Sequence, residues 1–193
     1  MSSVTTAPRI EPALRDATIL VLREQGWDGL TLERVADVAG RARSTLWRQG
    51  VTRDLLVGSL IGEVAADFKG AMFPILTSPG SGRDRLERCL EALCDLIDRH
   101  LPLMLATDEV FHQPPEPGQP PDYLRPLIQF LREGEADGSL TLRADLAETS
   151  DVLFNAVAWS YVHLRGRHGW EPERARETIV DLAMSWVTAS VSH

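Results

Sequence analysis

The stretch AGRARSTLWRQGVTRDLL, Ala39 to Leu56, carries four arginines, Arg41, Arg43, Arg48 and Arg53, against a single acid, Asp54. The 193-residue chain around it has a formal net charge of −8. Residues 1–57 hold eight basic and seven acidic side chains, whereas the remainder holds twelve basic and twenty-one acidic ones. An acidic chain that gathers positive charge in one place suggests a polyanion met at that place.

The local pattern explains how the arginines would be presented. Thr31 is a good N-cap for a short helix carrying Leu32, Val35, Ala36 and Ala39. Gly40 closes that helix with a sharp turn. A second short helix follows over about Arg43 to Gln49, and Thr52 caps a third that runs on toward Pro74. Two short helices joined by a Gly-containing turn, the second one basic, form a helix-turn-helix. Val35, Ala36 and Ala39 face Leu46, and small residues allow close approach. Arg43, Ser44 and Arg48 then point outward, toward a major groove.

The rest of the chain reads as helical throughout, with almost no strand-like alternation. Leu14, Ala17, Val21 and Leu22 share a face of a helix from Glu11 to Gln25, which Gly26 ends as a left-handed cap. Residues 77–82, TSPGSG, form a loop. Helices are expected over 83–99, from Pro102 through about Phe111, over 122–137 with a bend at Pro126, over 145–165 and over 172–191. That makes about nine in all. The proline-rich run 112–121 reads as a long loop, and residues 1–9 as a disordered tail. No internal repeat is present.

Composition narrows the class. The chain is 44% hydrophobic and 25% charged, as ordinary globular proteins are. No apolar run approaches a membrane span, and the first nine residues lack the apolar core of a signal peptide, so a cytoplasmic location is expected. Cys89 and Cys94 lie on different faces of one helix and read as two buried thiols. No ligand set for a metal is spaced along the chain, and His163 and His168 do not share a helix face. No nucleophile–base or carboxylate pair suggests catalysis, so neither enzyme activity nor a cofactor is expected.

The residues GWDGLTLERVADVAG and STLWRQGVTRDLL resemble the DNA-binding domain of the tetracycline-repressor (TetR) family of bacterial regulators. Matching positions are Gly26, Trp27, Thr31, Leu32, Val35, Ala36, Ala39, Gly40, Thr45, Leu46, Trp47, Arg53, Asp54 and Leu56. The resemblance implies an all-α protein: a DNA-binding domain over 10–57, joined by a long fourth helix to a ligand-binding and dimerisation domain over 58–193. It implies a homodimer on a double-stranded operator, with Thr31, Arg41, Arg43, Ser44, Thr45, Trp47, Arg48, Thr52 and Arg53 at the DNA. Arg43 and Arg48 would touch base edges or phosphates. Trp47 would either donate its indole N–H to a phosphate or pack against the first helix. Arg41 stands where the family is usually apolar, and Ala42 where a hydroxyl usually caps the recognition helix. Gly50 stands where an aromatic ring usually packs. That absence would loosen the helix unless Trp47 fills the volume.

In the second half, Phe68, Met72, His100, Met104, Phe111, Phe130, Phe154 and Tyr161 are candidates for a ligand pocket, although such residues fill cores equally well. Ala158, Trp159, Val162, Ala183, Trp186 and Ala189, on the last two helices, are candidates for the dimer interface. Glu133, Glu135 and Asp137 lie at a helix C-terminus, where negative charge is unfavourable, and read as a solvated cluster. The function expected is a repressor released from a palindromic operator by a small apolar or amphipathic ligand. The alternative is a dimer of the same fold with weakened DNA binding.

Overall fold

The computed structural model describes residues 10–106 and 123–188. Among these there are eight helices and no strand: α1 Pro12–Gly29, α2 Leu32–Val38, α3 Arg43–Arg48, α4 Arg53–Leu76, α5 Gly82–Ala106, α6 Arg125–Ala136, α7 Leu146–Gly166 and α8 Pro172–Thr188. The described residues form two compact units. One holds the residues up to Asp67 with those from Pro102 to Ala106; the other holds Phe68–Leu101 and the residues from Tyr123 onward. The tail, the run 107–122 with its proline-rich loop, and residues 189–193 lie outside the described residues.

The first unit is built on apolar residues at helical spacing. Leu14, Ala17, Val21 and Leu22 of α1 are buried with Val35 and Ala36 of α2, Leu46 of α3, and Leu56, Leu60 and Val64 of α4. Gly26, expected to end α1 as a left-handed cap, breaks the helix at φ +69° and ψ −172°, but one further helical turn follows to Gly29. Arg15 reaches across to Glu63 at 2.6 Å, tying α1 to α4. Leu103 belongs to this same core. Its burial explains why α5 runs straight through Pro102 instead of ending at residue 99. The expected new helix at Pro102 is therefore not formed there, and the packing of Leu103 offsets the hydrogen bond that a proline cannot make.

The second unit depends on one close crossing. A Cβ placed on Gly82, at the start of α5, would lie 2.0 Å from the backbone N of Gly134 in α6. A Cβ on Gly134 would meet Leu140 at 2.4 Å. This contact lets α6 deliver Asp137 to the α5 N-terminus, where Oδ2 accepts from the Gly82 N–H at 2.7 Å. Ser139 Oγ accepts from the Arg83 N–H at 3.1 Å. Hydrogen bonds from Ser139, then from Gly82, hold the Asp137 carboxyl below the usual range. The carboxylate that is badly placed for its own helix is well placed for another. Glu133 pairs with Arg85 at 2.8 Å. The acids expected to form a solvated cluster thus include two with structural partners. Pro126 opens α6 rather than bending it.

Elsewhere in this unit Asp98 of α5 accepts from the Tyr161 hydroxyl at 2.6 Å and from Arg165 Nε at 2.7 Å, both on α7. Arg176 of α8 pairs with Asp95. Cys89 and Cys94 are buried free thiols, and burial pushes both up to about 12.

Two glycines separate close packing from helix propensity. Gly82→Ala should lower stability by about 1–3 kcal/mol, because backbone must move to admit the methyl. Gly70→Ala, in open space within α4, should raise it by about 0.5–1 kcal/mol. Urea unfolding of the two variants beside wild type checks both signs.

Candidate nucleic-acid interface

The turn between α2 and α3 is set by backbone geometry. Gly40 adopts φ +64°, and the Arg41 N–H returns to the Ala36 carbonyl at 2.8 Å. Thr31 caps α2 by accepting from the Arg34 N–H at 3.3 Å. Ala42 occupies the N-cap position of α3 and offers it no side-chain acceptor. The helix is held instead by Leu46, 2% exposed. It is closed by Gly50, at φ +71°, with the Val51 N–H bonded to the Leu46 carbonyl at 3.0 Å. Gly50 therefore has a positive role as the left-handed closure. Buried Val51 joins the core next to it, supplying apolar contact at the place where a ring was missed. Trp47 does not fill that volume, being 75% exposed.

With Leu46 turned inward, α3 presents Arg43, Ser44, Trp47 and Arg48 to solvent, with Thr45 half-buried beside them. Arg41 is exposed in the turn, and exposed Thr52 caps α4 by accepting from the Leu55 N–H at 3.1 Å. The structure thus leaves Arg41, Arg43, Ser44, Trp47, Arg48 and Thr52 exposed and Thr31, Thr45 and Arg53 half-buried, but it gives each arginine a partner. Arg41 pairs with Glu11 and Arg43 with Glu33, each at 2.6 Å. Arg48 Nε donates to the Ser44 carbonyl at 3.3 Å. Arg53 stacks 4.8 Å from the Trp27 ring centroid and donates to the Trp27 carbonyl at 3.0 Å. It fastens the end of α1 to the start of α4. Glu11 and Glu33 were not singled out from the sequence, where nothing signals pairs separated by 30 and 10 positions.

In the second unit Phe68, Met72, Phe130 and Tyr161 are buried, His100 is buried and Phe154 half-buried. Two of these candidates meet around a residue the sequence reading left out. Tyr123 lies edge-on to Phe68 at 5.1 Å and stacks with Phe154 at 6.3 Å. The Tyr161 hydroxyl is committed to Asp98. Met104 packs against the core of the first unit, and Phe111 lies outside the described residues. Of the interface candidates, Ala158, Val162 and Ala183 are already buried within the single chain, Trp159 and Trp186 are half-buried, and Ala189 lies outside the described residues. The large apolar side chains of α7 and α8 that remain exposed are Val152 and Leu182, the latter at 64%.

No protein-family model and no curated protein sequence matches the chain. Solved structures do. The ketosteroid transcriptional regulator KstR2 of Mycobacterium tuberculosis superposes with a TM-score of 0.74 at 17% identity, covering 96% of this chain and 99% of its own. The transcriptional regulator FadR of Bacillus subtilis, in complex with stearoyl-CoA, gives 0.71 at 16%, covering 91% and 98%. A TetR/AcrR-family regulator from Thermobifida fusca gives 0.64 at 22%, covering 89% and 94%. The chain has the all-helical fold of TetR-type transcriptional regulators, and these neighbours are regulators rather than enzymes.

The geometry separates two aromatic–arginine positions that look alike in sequence. Arg53→Ala removes a carbonyl hydrogen bond and a stacking contact, so thermal unfolding should show a loss of about 1–2 kcal/mol. Trp47→Ala removes an exposed ring and should leave stability within about 0.5 kcal/mol.

Proposed function

We propose that this chain is a cytoplasmic, homodimeric transcription regulator that binds a palindromic operator and is released from it by a small apolar or amphipathic ligand, acting as a repressor. The observation that carries this reading is the two-sidedness of α3: one buried leucine on one side, and Arg43, Ser44, Trp47 and Arg48 exposed on the other. An exposed tryptophan among arginines has no folding role, whereas an indole N–H and guanidinium groups suit phosphates and base edges. In this reading Arg43 reads a base edge, Thr45, Trp47 and Arg48 hold the backbone, and Arg41, Thr31 and Thr52 flank them.

In this reading an apolar ligand would lie against the aromatic group Phe68–Tyr123–Phe154 of the second unit, and the stearoyl-CoA complex of a structural neighbour supports an amphipathic one. The ligand acts by population shift, binding better to a conformation whose paired recognition helices are wrongly spaced for successive major grooves. Dimerisation is assigned to α7 and α8. In this reading DNA binding belongs to 10–57 and the ligand and partner functions to 58–193.

The test is to select, from the genome of origin, the DNA fragment this protein retains best and to titrate it and a scrambled duplex against salt. Binding should weaken steeply with salt, and Trp47→Ala should weaken both duplexes about equally. Arg43→Ala should cost about 1–3 kcal/mol of discrimination at one position per half-site. A wild type that binds both duplexes alike at physiological salt favours the alternative, a same-fold dimer with weakened DNA binding.

Assembly is tested separately. Leu182→Glu puts a charge on the exposed part of α8, and light scattering should report a dimer for wild type and a monomer for the variant, because an unpaired charge buried in an interface is costly.

A further inference from the structure

Arg43 is the first residue of α3 and Glu33 lies in the first turn of α2. Their side chains meet at 2.6 Å, Arg43 Nη2 to Glu33 Oε1, bridging the two helices of the motif. Both are largely exposed, 65% and 47%. An exposed pair of this kind adds little to folding, and its consequence lies in how Arg43 meets DNA. We infer that Glu33 is a specificity-determining positioning residue: it holds Arg43 in a base-reading pose and keeps it from the phosphates. This inference rests on the proposed DNA-binding function.

The chemistry is a competition between acceptors. A guanidinium has five N–H donors. Glu33 meets it as an ion pair at Nη2, which leaves enough donors to bond a guanine edge while the pair stays intact. A phosphate is a charged acceptor of the same kind as the carboxylate. To neutralise a phosphate, Arg43 must leave Glu33; if it stays, the pair is neutral and releases no counterion from the duplex. Glu33 therefore costs the protein affinity in its sequence-independent mode and not in its sequence-reading mode. The Arg41–Glu11 pair has the same 2.6 Å separation in the same unit. Arg41 precedes α3 and reads no base in the proposed function, so Glu11 should tax both modes alike.

The experiment compares full-length wild type, Glu33→Gln, Glu11→Gln, Arg43→Ala and the Glu33→Gln/Arg43→Ala double variant. Each is measured on the best-retained genomic fragment and on a scrambled duplex across a salt series, after thermal melting shows wild-type folding. Glu33→Gln should tighten the scrambled complex about fivefold, the most an exposed pair is worth. It should also steepen that duplex's log–log salt slope by about 0.9. The genomic fragment should be held no more tightly, so preference falls. In the Arg43→Ala background the Glu33 effect should vanish. Glu11→Gln should strengthen both duplexes together and leave preference unchanged. If Glu33→Gln shifts both duplexes equally, shifts neither, or acts without Arg43, the assignment is wrong while the regulator reading stands. If wild type shows no preference between the duplexes, the regulator reading itself fails and this inference with it.

Discussion

A six-residue helix has no stability of its own, since nucleation consumes most of what so few hydrogen bonds return. α3 exists because Leu46 is buried against α2 and the start of α4, and because Gly50 turns the chain so that Val51 follows it into the same core. That single inward anchor dictates the rest of the helix's surface. With one side committed to Leu46, Arg43, Ser44, Trp47 and Arg48 have only solvent to face. The missing cap at Ala42 matters less than the sequence suggests, because the helix is held from its far end and from beneath.

Electrostatically the basic stretch is quieter than its composition. Arg41 and Arg43 are each answered by a glutamate, Arg48 by a carbonyl of its own helix, and Arg53 by Trp27. The surface is thus poised rather than saturated with positive charge. In the proposed function, affinity for DNA would depend on how readily each guanidinium exchanges its present acceptor for a phosphate or a base edge. Arg53 has a structural tie through both a ring and a carbonyl, joining α1 to α4, and its loss would be felt in the fold itself.

Local signals made most of the fold legible. Thr31 and Thr52 cap as their positions predict. Gly40 and Gly138 take the left-handed backbone that ends helices. Asp145 caps α7 by accepting from the Glu148 N–H at 2.9 Å. What was not legible depends on partners distant in sequence. Pro102 looked like a helix start because its local cost is visible and the burial of Leu103 is not. Asp137 looked misplaced because the helix it serves begins at Gly82. Tyr123 was passed over because only folding sets it between Phe68 and Phe154. At the candidate interface, the exposed faces of α3 followed from periodicity, whereas the glutamates that hold two of its arginines did not.

The central claim is that α3 lies in the major groove with Arg43 at a base edge. Guanine N7 faces that groove and accepts from arginine there. Methylation protection on the best-retained genomic fragment therefore tests the claim most directly. The account predicts one N7 protected in each of two symmetry-related half-sites, with both protections lost in Arg43→Ala while the fragment remains bound at low salt. A bound fragment whose guanines stay fully reactive, or a protection pattern that Arg43→Ala leaves intact, would contradict it.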